Sequence, residues 1–594
     1  MEYLVVLEVS QKQNYIFKTD KLKENIGASI IIRHITEDAA EGYLSTPFGE
    51  GRYWFAGGGK SIYIFEAEDA AKWFIGGVSK EVLMEYPGAE LFMTYVSCDE
   101  KNDSIAEKVD ELYAKLEKKK SERQNAFRLY GLGITEQCVS TQLPACEIVD
   151  GELCSREAAA KRNNADEKQD EVFKELLPDT SRYAFAKEFE ELGGTKDIKD
   201  YLAVAVLDGN KLGRKIEGFR KRFEESFIRQ HGSEITDYTD FNAKYKEEFA
   251  EFSKRIDDTW RGAMKRMIAR LCENYEWLVK QKIIKRVVPK DNGEKNGKVA
   301  KTILPIRPLI LAGDDICFVC DSRICLNLVE ILLEEVERAG KNDVDGTTVP
   351  GEPGLHAAAG IAIVKNHYPF FRAHELAEQL CHSAKSVLES GTAERQCFEA
   401  KPVFEYEHAE KPSHDTETVV GGDSGKDGYI HRDVLREGGS IRQHEPEKDG
   451  FACSGDPERD ESVLDFLIVE GEIAGSLTEI RKVKYRNSLM TNKPYFLHAD
   501  GPDEKGRKNS LPFFKERFRH ITSLSSGPIR EYRNALFEGK KEADYYLTHK
   551  RLKEAVGDSF IRAERRDEEG NRIEADVCVD YDVIEMYDVY HDWE

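Results

Sequence analysis

The sequence predicts an α+β protein in which a ferredoxin-like βαββαβ unit occurs twice, with a cysteine-bearing insert between the copies and a helical region after them. Three observations carry this reading. Apolar runs of strand composition flank a glycine corner in Phe55-Ala56-Gly57-Gly58-Gly59, and again in Leu311-Ala312-Gly313-Asp314-Asp315, and the two corners line up on their shared Ala-Gly. Around each corner the same order of strand, helix, hairpin, helix, strand and helix is legible from periodicity. Beyond about residue 462 the apolar spacing turns mainly helical.

Taken in order, residues 3–9 form a short apolar strand, and Asn14 to Ser29 have helical character. The Gly57-Gly58-Gly59 hairpin follows, then a helix over about 68–85, a strand from Leu91 to Val96 and a helix over about 104–122; residues 1–130 are the first domain. Residues 131–195 hold Cys138, Cys146 and Cys154. A zinc knuckle needs four soft ligands, usually as two C-x-x-C pairs. Thr141 and Glu157 stand at the second positions and Cys146 is poorly spaced, so we expect a knuckle that has lost its zinc. The second domain, 196–410, opens with a strand at 201–207. A long amphipathic helix carries one stripe from Tyr245 through Trp260 to Leu278. The 309–320 hairpin, a helix from Leu326 to Ala339, a strand from His356 to Val364 and a helix from Phe371 to Leu388 complete the copy. Between Lys280 and Lys301 the chain is basic (Lys282, Lys285, Arg286, Lys290, Lys295, Lys298); such runs are usually solvated loops, with RNA phosphates as the other reading. Residues 411–461 are polar and Gly-rich, a linker in which His414, His431 and His444 read as solvated. The last domain, 462–594, is expected to be helical (462–485, 513–523, 529–548) and to serve packing or docking.

Length and charge bound the function. At 594 residues the chain exceeds a single core. Its 40% hydrophobic content suits a soluble protein, and it holds no run of about 18 apolar residues, so no membrane partner is expected. Met1-Glu2-Tyr3 lacks the basic start of a signal peptide, which predicts a cytoplasmic protein with reduced cysteines. A net charge of −24 argues against broad wrapping of a duplex, but not against a local basic patch.

The chemistry lies in three carboxylates. Gly and Asp are ordinary turn residues, so the Gly313-Asp314-Asp315 corner is unremarkable by itself. Its strands are very apolar, however, and unpaired carboxylates beside them are costly unless a cation or a solvated cleft receives them. Asp208 ends another apolar strand, Tyr201 to Leu207. If the strands are neighbours, Asp208, Asp314 and Asp315 meet at one rim, as in a palm-type nucleotidyl-transfer site holding two Mg²⁺ or Mn²⁺ ions against a triphosphate. Backbone N–H groups from Gly209 to Gly213 at a helix start are candidate phosphate contacts.

Several stretches together resemble the large subunit of type III CRISPR effector complexes, the Cas-ten family, and its Cmr-type branch in particular. They are Tyr15-Ile16-Phe17 with Lys21-Leu22 through Gly27-Ala28-Ser29, the Gly57-Gly58-Gly59 corner, Pro144-Ala145, Asp208-Gly209-Asn210-Lys211-Leu212-Gly213, Ala312-Gly313-Asp314-Asp315, and Gly360 to Val364 leading to Ala384-Lys385. The resemblance covers about residues 1–400. It implies two palm/nucleotidyl-cyclase domains, the first degenerate and the second catalytic, that polymerise ATP into cyclic oligoadenylate messengers. The partners implied are other subunits with guide RNA and captured target RNA. Asp208, Asp314 and Asp315 would be the catalytic and metal-binding residues. Gly209, Asn210, Lys211, Gly213, Gly313 and Lys385 would touch nucleotide, while Gly57, Gly58, Gly59 and Ser29 would face the partner ATP. The sequence departs from the family at Ala312, where a Gly is usual, and at Asn210, where many members carry Asp. The N-terminal HD nuclease domain of many relatives is expected to be absent, and His414-Asp415 and His591-Asp592 do not rebuild it. Two other readings remain: a non-enzymatic ATP-binding scaffold subunit, and a guide-independent palm cyclase making a different nucleotide messenger.

Overall fold

The structure is a computed structural model and describes residues 1–57, 59–122, 134–192, 201–231, 235–287, 301–341, 354–366, 368–389, 460–469, 475–485, 491–499, 508–524, 526–566 and 572–593. It is mixed α+β with two main sheets. In the first unit, β1 (Glu2–Ser10) leads into two helices, α1 (Lys12–Phe17) and α2 (Leu22–Arg33), where the sequence suggests one. The break has a cause: the buried Asn25 amide donates to the carbonyls of Ile16 and Thr19, satisfying the end of α1 as the chain turns. β2 (Gly49–Gly57), β3 (Lys60–Phe65), α3 (Glu68–Glu85), β4 (Glu90–Cys98) and α4 (Ile105–Ser121) follow. The strands lie in the order β2-β3-β1-β4, with a two-residue strand, Ser45–Thr46, beyond β2.

An insert with β5 (Glu147–Val149), β6 (Glu152–Cys154) and α5 (Arg156–Lys168) separates the units. Cys138 and Cys154 are buried and Cys146 is exposed. The residues at the second knuckle positions are spent elsewhere. Thr141 shares a hydrogen bond with the Ser155 hydroxyl at 2.8 Å, and Glu157 pairs with Lys161 at 2.9 Å and Lys18 at 2.8 Å.

The second unit comprises β7 (Tyr201–Gly209), α6 (Leu212–His231), α7 (Thr239–Lys280), β8 (Ile306–Ala312), β9 (Asp315–Asp321), α8 (Ser322–Lys341), β10 (Ala357–Lys365) and α9 (Phe370–Glu389). Its sheet order, β8-β9-β7-β10, repeats that of the first unit and then continues with β11 (Val463–Ile468) and β12 (Tyr495–Phe496). This corrects the helix expected over 462–485: among the described residues there, only Leu477–Tyr485 (α10) is helical. Residues 463–468 are buried on both faces and pair parallel to β10, so no alternation betrays the strand. Its one charge, Asp465, is met at 2.6 Å by Arg481 and at 2.8 Å by the Ser383 hydroxyl of α9. The helix expected over 529–548 is likewise two, Ser526–Glu538 and Lys540–His549, parted at Gly539 with φ 112°. The end of the chain adds a hairpin, Phe560–Arg566 with Arg572–Cys578, that the helical reading lacks.

The long helix α7 ties the units together. Phe241, Tyr245, Phe249 and Phe252 pack on Leu4, Val6, Trp54 and Ile62 of the first sheet, while Trp260 to Leu278 join the main core. The units also meet directly. The Phe17 and His374 rings stack at 3.7 Å, and the Phe370 N–H donates to Asp20 at 2.8 Å. Of the basic 280–301 stretch, Arg286 pairs with Glu276, whereas Lys290, Lys295 and Lys298 lie outside the described residues, as do His414, His431 and His444. Asp592 pairs with Arg519 at 2.8 Å. Among the described residues no helix is long and apolar enough to cross a membrane.

Candidate active site between the two units

The two units coincide residue for residue around their hairpins. Gly57 pairs with Lys60 to close the first hairpin, and Ala312 with Asp315 to close the second. Both ladders slip at the same place, between Tyr53 and Phe55 and between Pro308 and Ile310, opposite Tyr63 and Phe318. The central strands agree: Ser61 faces Leu7 as Ile316 faces Leu207. Three residues past Glu8 and Asp208, Gln11 (φ 50°) and Lys211 (φ 53°) both adopt the left-handed conformation. This register moves the sequence alignment of the corners by one residue, because the shared slip fixes Trp54 against Leu309. Gly59 then corresponds to Asp314 and Lys60 to Asp315, while Glu8 corresponds to Asp208.

In the second unit the hairpin tip, the end of β7 and helix α9 surround a cavity of about 340 Å³ lined by Asp208, Asp314, Asp315, Glu378, Lys385 and Lys12. The Lys385 ammonium bonds to Asp208 and donates to the Gly209 carbonyl at 3.1 Å. Burial, then repulsion from Asp208, pushes the Asp314 carboxyl up to about 6. Asp315 is raised by burial as well, against the opposing charges of Lys12 and Lys385. Glu378 is lifted to about 7 by burial and by Asp315. These acids want a cation. As placed, though, no three His, Cys, Asp or Glu side chains among the described residues stand in ligating positions, and Asp208 is paired with Lys385. The oxygen donors and their electrostatic stress suit Mg²⁺ or Mn²⁺, provided Lys385 yields Asp208.

The remaining expected residues divide. Gly313 (φ 65°) makes the hairpin turn that a side chain would strain, whereas Ala312 sits in the strand, where its methyl costs nothing. Gly209 lies under the tip: a Cβ there would be 2.8 Å from that of Asp314. Asn210 is buried, its amide donating to the Glu461 carbonyl at 2.9 Å and its Oδ1 without a partner among the described residues. Lys211 sits at the left-handed turn before α6. Gly213 lines a second, larger cavity of about 1130 Å³ between the units, together with Lys12, Gly59, Lys60, Gly313 and Asp314. Ser29 also borders it, but its hydroxyl is committed to the Leu309 carbonyl at the slip in β8. Gly57 pairs in the strand, and Gly58 lies outside the described residues.

Sequence reasoning missed Glu378, His382 and Lys12. The first two share a helix face with Lys385 at spacings of seven and three residues, a signal that was legible. Lys12 comes from the other unit, and no local pattern marks it.

Fold and site together describe a protein with two α+β units, one of which presents clustered carboxylates to the gap between them. No protein-family model matches the chain, and no curated protein matches it. Its structural neighbours include Csm1-Csm4 assemblies. The Csm1-Csm4 cassette in complex with AMPPNP shares 16% identity at a TM-score of 0.38, over 68% of this chain and 56% of that one. The cassette in complex with cA4 shares 16% at 0.36, over 65% and 53%. The Csm1-Csm4 subcomplex of the type III-A interference complex shares 15% at 0.36, over 68% and 56%. The chain thus spans about half the length of the chains it matches.

Proposed function

We propose that this chain is a nucleotidyl cyclase of palm type that joins ATP into cyclic oligoadenylates. We further propose that it acts as the large subunit of a type III CRISPR effector whose other subunits hold guide and target RNA. One observation carries the reading: Asp208 at the end of β7, Asp314 in the hairpin turn and Asp315 at the start of β9 open into one cavity beside Lys385 at the junction of two copies of the same unit. Asp208, Asp314 and Asp315 would hold Mg²⁺ or Mn²⁺, which when bound supplies Lewis-acid stabilisation of the charge on the α-phosphate and the leaving pyrophosphate. Lys385, released from its pairing with Asp208, would take a phosphate oxygen instead. The Gly313 turn holds Asp314 over Gly209 and so fixes the carboxylate that faces both cavities. The first unit has Lys60 where the second has Asp315, so it binds rather than activates the second nucleotide.

The test is chromatography of products formed from ATP with Mn²⁺, with and without target RNA, for the wild-type complex and for Asp314→Ala/Asp315→Ala. We expect cyclic oligoadenylates from the wild type and a loss of at least about 10³-fold in the variant. RNA-independent production of another cyclic nucleotide would favour a guide-free cyclase, and wild-type turnover by the double variant would exclude either enzyme.

A further inference from the structure

We propose that Lys12 is a phosphate-binding residue that the first unit lends to the carboxylate site of the second. The inference deepens the cyclase reading and rests on it for the identity of the nucleotide.

Lys12 follows the left-handed Gln11 at the end of β1 and starts α1. It lines both cavities, the small one with the carboxylates and the large one between the units, so it stands where they join at the hairpin tip. Its side chain lies across the tip of the first hairpin: a Cβ built on Gly59 would fall 2.3 Å from Lys12 Nζ and 3.1 Å from its Cε. Gly59 has φ 74°, so glycine suits both the turn and the passage of the lysine.

Each neighbouring lysine faces a carboxylate. Lys60 lies 3.8 Å from Glu8, Lys120 lies 3.0 Å from Glu8, and Lys385 pairs with Asp208. Lys12 has no carboxylate within 4.0 Å among the described residues, although Asp314 and Asp315 line the same cavity. A partly exposed ammonium at the mouth of an acidic cavity has room for an anion between itself and those acids, once cations neutralise them. A nucleoside triphosphate is the anion that such a site takes, with its phosphates toward Lys12. The carboxylate-poor copy therefore supplies a charge for the triphosphate in addition to that of Lys385. That makes the pairing of the two units a requirement of binding and not only of packing.

The test compares Lys12→Gln and Lys12→Arg with wild type in the full chain, measuring the affinity for AMPPNP with Mn²⁺ and, separately, for adenosine. We expect Lys12→Gln to weaken AMPPNP at least about fivefold with adenosine unchanged, and Lys12→Arg to restore most of the loss. An AMPPNP loss smaller than that, or an equal loss for adenosine, overturns the proposal, as does a wild type that binds no AMPPNP. Should Lys12→Gln melt early, Gly59→Ala moves the ammonium without removing it and must show the same selective loss. A wild type that binds AMPPNP but forms no product from ATP refutes the cyclase reading alone, because the Lys12 comparison then still stands on binding.

Discussion

Glu8 and Asp208 hold the same register position in two copies of one unit, and each carboxylate is met by a lysine from the last helix of its copy, Lys120 and Lys385. The copies differ at the next strand. Asp315 faces the cavity in the second, whereas Lys60 lies 3.8 Å from Glu8 in the first, with its ammonium also over the Tyr113 ring at 4.9 Å. An ammonium thus takes the place that a divalent cation would claim. Lys60→Asp should nonetheless leave the number of Mn²⁺ ions bound per chain unchanged, because Lys120 still caps Glu8 and Gly59 supplies no further acid. Titration calorimetry checks this; one extra ion would show that Lys60 alone keeps metal out.

Lys385→Met removes the cation that contacts Asp208. The pair is partly exposed (26% and 48%), so in chelator its loss should cost no more than about 1 kcal/mol of stability. Saturating Mn²⁺ should abolish the difference, since the ion replaces the lost charge. Product formation should still fall, because the phosphate loses its ammonium. Melts with and without Mn²⁺ separate the two roles; a stability loss that Mn²⁺ leaves intact would make Lys385 purely structural.

What the chain disclosed in advance follows from what is local. The two corners, the strand ending at Asp208 and the long stripe from Tyr245 to Leu278 are set by nearby residues, and all appear where their periodicity puts them. The strand at 463–468 is not local information: a run buried on both faces reads equally as helix, and only its place beside β10 decides. Register was half legible. The shared Ala-Gly suggested one alignment of the corners, and the ladder slips at Trp54 and Leu309, which no composition announces, moved it by a residue. Lys12 was beyond reach, since its partners lie some three hundred residues away.

The contact between units should be sensitive to acid through His374. Burial against Phe17 depresses its imidazole to about 3, and its Nε2 has no partner among the described residues. Below pH 6.5 the unfolded chain takes up a proton that the folded chain refuses, so stability falls as pH drops from about 6.5 towards 3. Each tenfold difference in proton affinity is worth about 1.4 kcal/mol. Glu378, 3.7 Å away and lifted to about 7, works in the opposite sense, because the folded state holds its proton more tightly. The contrast between wild type and His374→Leu isolates the histidine. Denaturant midpoints of the variant should fall less between pH 7 and 4.5 than those of wild type, and parallel curves would show that His374 is protonated in the fold.

Gly209→Ala tests whether the carboxylate tip must rest on bare backbone. A methyl there meets the Asp314 Cβ at 2.8 Å and its Oδ2 at 2.9 Å, closer than such atoms approach. The strand beneath is pinned on both sides, by Ile316 against Leu207 and by Ala357 against Gly209, so the tip must give way. Overpacking of this kind costs about 1–3 kcal/mol in a core. At a hairpin tip facing a cavity, less of that should register as lost stability and more as a displaced Asp314. Turnover from ATP should fall at least about tenfold while the melting temperature moves by only a few degrees. Gly76→Ala is the control: its methyl meets nothing within 4 Å and it lies inside α3, where alanine is favoured by up to about 1 kcal/mol, so it should keep activity and match or exceed wild-type stability. Equal losses in both variants would mean that the lost activity does not come from the seat of Asp314. A loss confined to Gly209→Ala ties activity to the seat of Asp314.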